Sequence, residues 1–313
     1  MIVVGGEALI DLVPQADDGS WRALPGGSPA NTALALARLG HKTAFLSRLS
    51  VDAFGQAVRA RLAESGVRLD HVVEATEPST LAVVTMGDDG AATYAFYLAG
   101  TSGFSWPPEG RPVLPDGCTA VHVGSLAAVL EPAASVYDAL VRTAAPRTVR
   151  SFDPNVRPAL DVGREAYRER MERWVATSDV VRASDEDLAW LYPDEAPLAS
   201  ARRWVGLGPA VVVVTRGADG VTGLVGGDEV TVPAVRVEVV DTVGAGDSFM
   251  AGLLGALAER DALDRSRLAE LSADALAASL RYASTVAAVT CGRAGADPPW
   301  RHEIDAGVEE LRG

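Results

Sequence analysis

Ala210-Val211-Val212-Val213-Val214-Thr215 decides the fold. Five consecutive β-branched residues, Val211–Thr215, favour extended chain. Side chains alternate between the faces of a strand, so an unbroken apolar run belongs to a strand buried on both sides. That is the condition of a parallel strand between two helical layers. Reading outward, the same alternation recurs. Upstream lie a helix over 185–191, a strand over 180–181, a helix over 164–176 and a strand over 148–152. Before those come a helix over 132–144, a strand over 120–123, a helix over 55–64 closed by Ser65-Gly66, and a strand over 42–47. A helix over 28–39 ends at Gly40, which suits the left-handed position after a helix, and the first strand is 2–4. The fold class expected is α/β, with a doubly wound, mostly parallel sheet flanked by helices.

Two segments break the pattern. Residues 12–24 are polar and turn-rich. Residues 79–103 hold two alternating strands, 81–86 and 93–98, around the turn Gly87-Asp-Asp-Gly90, which is a hairpin signature. These two pieces read as a small inserted β-lid. The α/β body is then 1–11, 25–78 and 104–313, with a final helix over 304–311.

The chain has 313 residues and a formal net charge of −14. That balance argues against a nucleic-acid platform, because phosphate backbones need clustered Lys and Arg. The single lysine, Lys42, nearly excludes Schiff-base and P-loop lysine chemistry. Two cysteines, Cys118 and Cys291, make no disulfide framework and fit a reduced, cytoplasmic compartment. No targeting segment and no apolar run long enough for a bilayer is expected. The four histidines, His41, His71, His122 and His302, lack zinc-site spacing.

The richest segment is Asp241-Thr-Val-Gly-Ala-Gly-Asp-Ser-Phe249. It follows a strand-like run over 230–240 and precedes a helix over 248–259. Strand, glycine loop and helix N-terminus together make an anion site, because free amides of the first turn point outward along the helix dipole. Gly244, Ala245 and Gly246 are small enough for an anion to touch the backbone. Asp247 is either a helix-stabilising first-turn carboxylate or a general base beside that pocket. Facing helix N–H groups, it is expected to stay ionised. The loop is neither a P-loop nor a dinucleotide fingerprint.

A second loop, Pro25-Gly-Gly-Ser-Pro-Ala-Asn31, leads into the helix at 32–39. Gly26 and Gly27 permit close backbone approach, and Asn31 offers a donor and an acceptor to a polyol. Asp11 follows the first strand at its C-terminal end, where ligands of open α/β sheets bind. A turn and a cap explain the same residues structurally.

Together the two loops resemble the paired signatures of the PfkB/ribokinase family of carbohydrate kinases, in order, separation and chain length. Gly5-Gly-Glu-Ala-Leu-Ile-Asp11 and Asp153-Pro-Asn-Val-Arg157 resemble its bacterial fructokinase branch. The resemblance implies a ribokinase-like fold whose hairpin is the lid. It implies ATP-dependent phosphorylation of a sugar, fructose first, with 2-keto-3-deoxygluconate next because the Arg157 stretch also occurs in those kinases. Asp247 would be the catalytic base, and Gly244, Ala245 and Gly246 the anion hole. Asp11, Gly26, Gly27, Asn31 and Arg157 would bind sugar, with Phe96 or Phe104 packing on it. Nucleotide contacts would come from Ser184, from Thr215, Gly217 and Gly220 of the Thr-x-Gly-x-x-Gly turn, and from Ser284.

Relatives carry Asn-x-x-Glu near Mg²⁺; here the stretch is Ser184-Asp-Glu186-Asp187, so the metal would be met by Asp187 and Glu186 through water. The same three acidic residues also suit a plain first helical turn. Asp241 would help hold a monovalent cation, K⁺. The expected partners are sugar and ATP, with a homodimer through the lid.

Two readings from other classes compete. Gly246-Asp-Ser248-Phe resembles the nucleophile block of GDS-type esterases, yet it stands late in the chain and lacks their Asp-x-x-His. A non-catalytic sugar or nucleotide sensor on the same fold would not need Asp247.

Overall fold

The computed structural model describes residues 1–15, 19–86, 92–107, 111–160 and 162–310. The chain opens with β1 (Ile2–Gly5), β2 (Leu9–Pro14), β3 (Trp21–Gly26), α1 (Ser28–Arg38), β4 (Thr43–Leu46), β5 (Arg48–Ser50), α2 (Ala53–Glu64) and β6 (Val73–Ala75). The strands β7 (Leu81–Met86) and β8 (Ala92–Tyr97) lead to β9 (Ala120–Gly124), α3 (Ala133–Arg142), β10 (Val149–Asp153), α4 (Arg164–Thr177), β11 (Val180–Ser184), α5 (Asp185–Leu191), α6 (Pro197–Val205) and β12 (Val211–Thr215). It closes with β13 (Val221–Val225), β14 (Asp228–Val232), α7 (Ala245–Glu259), α8 (Arg265–Leu268), α9 (Ala273–Cys291) and α10 (Arg301–Glu310).

The main sheet has the order β14-β13-β12-β11-β10-β9-β1-β4. Its strands from β4 through β12 are parallel, and β13 and β14 turn antiparallel at one edge. The four valines of β12 divide as their alternation requires. Val211 and Val213 join the apolar cluster with α1, α7 and α9, whereas Val212 and Val214 join the cluster with α3, α4, α5 and α6. All four are 0% exposed, and burying each contributes about 1.5–3 kcal/mol. None of the helices among the described residues is long and apolar enough to cross a membrane.

The helix starts follow local chemistry. Asp52 caps α2 by accepting the Gly55 N–H at 2.7 Å, Pro29 occupies the first turn of α1, and Gly40 takes φ +85° beyond its end.

The two segments that broke the pattern meet in a four-stranded sheet, β3-β2-β7-β8. Its strands reach further than expected. β2 begins at Leu9 and β3 runs to Gly26, so Asp11 sits inside a strand of this second sheet, opposite Leu24 and Ala82, rather than just past β1. The expected turn at 87–90 and Leu311 lie outside the described residues. The strand-like run at 230–240 is corrected: β14 stops at Val232. Val235, Val237 and Val239 alternate as a strand would, but Pro233 removes a ladder donor. The following residues are largely exposed, with no regular pairing. The glycine-loop helix starts at Ala245 rather than 248, because Gly244 (φ +77°) takes the left-handed position before it.

Candidate active site

Asp247 lies in the first turn of α7 with 7% exposure. Its carboxylate does not face the helix amides as expected. Oδ1 accepts the Ser28 hydroxyl at 2.7 Å and Oδ2 accepts Asn31 Nδ2 at 2.9 Å, both from the start of α1. The small residues of α1 and α7 let the two helices pack closely enough for this. The neighbours of Asp247 act on its proton affinity in opposite directions. Burial raises the Asp247 pKa; the bonds from Ser28 and Asn31 and the charge of Arg157 pull it down, and Asp153 adds to the rise. A base with a raised pKa is a stronger proton acceptor once ionised.

Asp11 and Arg157 stand within electrostatic reach of Asp247. Burial first, and Asp247 after it, raise Asp11 to about 6, against the opposing charge of Arg157. Gly26 and Gly27 have protein neighbours. A β-carbon on Gly26 would lie 2.2 Å from Asp11 Oδ2, and one on Gly27 2.9 Å from the Glu7 carbonyl. These glycines therefore give the Asp11 carboxylate its room and let β2 and α1 meet. The loop 153–157 is braced by Asp153 Oδ1, which accepts the Asn155 N–H at 3.0 Å, and by Asp187 Oδ1, which accepts the Val156 N–H at 2.8 Å. Tyr167 accepts the Arg157 N–H.

The anion loop is backed by protein on one side. A β-carbon on Gly244 would strike Ala296 at 2.7 Å, and one on Gly246 would strike Arg182 Nη1 at 2.8 Å. Asp241 Oδ1 accepts the Val243 N–H and its Oδ2 accepts the Gly295 N–H at 2.8 Å, which ties this loop to the segment after α9. Thr215 ends β12 and its hydroxyl accepts Arg182 Nη2 at 2.5 Å. Gly217 and Gly220 both take positive φ, and Gly220 lies against the carbonyl of Val232. Ser284 is half-buried on α9, the helix packed against α7.

Ser184 and Asp187 form a capping box at α5: the Ser184 hydroxyl accepts the Asp187 N–H, and Asp187 Oδ2 accepts the Ser184 N–H. Both carboxylate oxygens of Asp187 thus carry a backbone bond. Glu186 is exposed on the same turn. Among the described residues no three His, Cys, Asp or Glu side chains converge as a metal cage.

Of the two aromatics expected to pack on sugar, Phe104 is 5% exposed and packs in the core with Leu9, Ala82 and Trp106. With Leu98, Trp106, Leu130 and Pro132 it lines a groove of about 630 Å³ that does not include the Asp247 loop. Phe96 stacks on Tyr94 with centroids 6.0 Å apart. Tyr94, which the sequence reading passed over, lies within electrostatic reach of Asp11, Arg157 and Asp241. The i, i+2 spacing of Tyr94 and Phe96 on one strand face was the signal for it. Ser28 and Arg182 were also missed. The esterase reading finds no support: Ser248 is 1% exposed and bonded to Thr290 of α9.

The pattern of the pfkB family carbohydrate kinase matches residues 1–303. A fructokinase of Rhizobium leguminosarum bv. trifolii is 39% identical over 279 residues, covering 88% of this chain and 85% of the relative. Among solved structures, fructokinase with bound ATP from Xylella fastidiosa superposes with a TM-score of 0.90 at 29% identity, covering 100% of this chain and 99% of the other. Fructokinase from Vibrio cholerae O395 in a fructose, ADP and calcium ion bound form gives 0.80 at 25% identity, with 97% of each chain covered.

Proposed function

The chain belongs to the pfkB family of carbohydrate kinases, and from that premise we propose that it transfers the γ-phosphoryl group of ATP to fructose, giving fructose 6-phosphate. The observation that carries this is the Asp247 carboxylate, buried in the first turn of α7 after the Gly244 turn and within electrostatic reach of Asp11 and Arg157. The fructokinase relatives supply the choice of sugar.

Asp11 and Arg157 hold and orient the sugar hydroxyls, with Asn31 and the Gly26-Gly27 turn beside them. Asp247 accepts the proton of the attacking hydroxyl, its carboxylate aimed by Ser28 and Asn31. The Gly244, Ala245 and Gly246 amides take up the charge spread over the transferred group. The nucleotide lies along Thr215, Gly217 and Gly220, toward Ser184 and Ser284. Tyr94 and Phe96 cover the sugar from the lid and exclude water.

The residues present fit Mg²⁺ only through water. Asp187 is already bonded twice by backbone and Glu186 is exposed, so these two would hold it indirectly. When bound, the ion supplies neutralisation of phosphate charge. K⁺ would sit where Asp241 joins the loop to Gly295. Trp21 and Tyr97, 46% and 61% exposed on lid strands, support a homodimer through the lid.

A panel of sugars with ATP, including fructose and 2-keto-3-deoxygluconate, read by ADP release, tests the reading. Fructose should give the highest kcat/KM. Asp247→Asn should lower kcat by about a hundredfold to ten-thousandfold while calorimetry still detects sugar binding. Full turnover in that variant would refute the mechanism.

A further inference from the structure

The loop that presents Arg157 and the turn that presents Gly246 come from separate elements, yet one buried side chain reaches both surroundings. Arg182, in β11, is 8% exposed. Its Nη1 pairs with Asp153 Oδ2 at 3.0 Å, at the end of β10. Its Nη2 donates to Thr215 Oγ1 at 2.5 Å, at the end of β12. The guanidinium lies against Gly246 in the first turn of α7, where a β-carbon would come within 2.8 Å of its Nη1. Its Nε is buried without a partner among the described residues.

The charges around this group are specific. Burial works against its protonated form, but Asp153, Asp187 and Asp247 outweigh that and hold its pKa above the ordinary value. Asp153 and Asp187 are the two carboxylates that brace the loop 153–157. A planar fork is suited to this place, because one guanidinium can satisfy a carboxylate and a hydroxyl in different directions at once.

We propose that Arg182 is a positioning residue of the phosphoryl-transfer site: it locks the Arg157 loop, the end of β12 and the Gly246 turn into one frame and sets a fixed positive charge close to Asp247. The assignment rests on the kinase reading above. It joins the sugar side of the site to the nucleotide side through contacts that neither signature loop contains.

The test is the pH dependence of kcat at saturating sugar and ATP. The charged groups facing Asp247 are Arg157, Asp153, Arg182 and Asp11, with Ser28 and Asn31 as neutral donors. Of these, Arg182→Met removes one positive charge and leaves the others. Asp247 then ionises less readily, so the acid limb of the profile should move up by about one pH unit. kcat at the plateau should fall at least about tenfold, as a displaced frame misaligns the reacting atoms.

Arg182→Lys should return the acid limb to the wild-type position, because the charge is restored. Its plateau should stay low, because a single ammonium cannot bridge Asp153 and Thr215 as the fork does. A purely structural arginine would lower yield or Tm without moving the limb, so an unmoved limb in Arg182→Met overturns the proposal. Where Arg182→Met does not fold, a wild-type kcat in Arg182→Lys overturns it instead. Wild-type protein that releases no ADP with any sugar ends the kinase reading and this assignment together. Wild-type turnover with an unmoved limb ends this assignment alone.

Discussion

Asp11, proposed above to bind the sugar, shows at the scale of one residue how a buried carboxyl strains its own fold. Its pKa of about 6 lies above the 3.8 of a free Asp, so the folded chain holds the proton more tightly than the unfolded chain between those values. By linkage, ionising Asp11 costs stability as pH rises through that window, and the full cost is present above about 6. In the proposed sugar complex, hydroxyls would donate to the ionised form, so binding should have the opposite dependence. Calorimetry without nucleotide should show fructose Kd weakening roughly tenfold per pH unit below 6. Asp11→Asn should bind weakly at every pH and yet melt at a higher temperature than wild type at pH 7.5. A lower Tm there would mean that Asp11 is held by interactions other than those described.

The element scale turns on how closely α7 can approach its neighbours. A β-carbon on Gly252 would lie 2.8 Å from Ala283 Cα and 3.2 Å from Val286 Cγ2, both on α9. Backbone cannot swing aside as a side-chain tip can, so Gly252→Ala should cost about 1–3 kcal/mol in urea unfolding. A midpoint equal to wild type would show that the α7–α9 gap tolerates a methyl group. Elements of this kind were legible wherever a local pattern carried them. The four valines of β12, the strand at 2–4 and the helix Asp185–Leu191 could be read because periodicity and caps act over a few residues. The alternation of Val235, Val237 and Val239 misled, because an alternating run becomes a strand only where another strand accepts its ladder. Of the site, the glycine turns, Asp11 and Asp247 stood out by residue type. Ser28 and Arg182 did not, because their roles exist only in contacts with Asp247, Asp153 and Thr215, brought near by the sheet order.

Across the whole molecule, the sheet carries a histidine that resists charge. His122 of β9 is 1% exposed, bonds Ser151 of β10 at 3.0 Å, and is lowered by burial to about 3. The unfolded chain protonates it below about 6.5 while the folded chain does not, so this site lowers stability as pH falls from 6.5 toward 3. Between pH 7.5 and 5 the wild type should lose about 2 kcal/mol more in chemical denaturation than His122→Gln. Equal losses would place the acid sensitivity elsewhere. The lid and the body meet through a join of another kind. β3 ends at Gly26, α1 begins at Ser28, and the first turns of α1 grip Asp247. One glycine, Gly27, separates β3 from α1, so a shift of β3 would be felt at Ser28 and Asn31, the two residues bonded to Asp247. If the proposed kinase reading holds, a small molecule wedged beside β3 should slow turnover from outside the position proposed for the sugar.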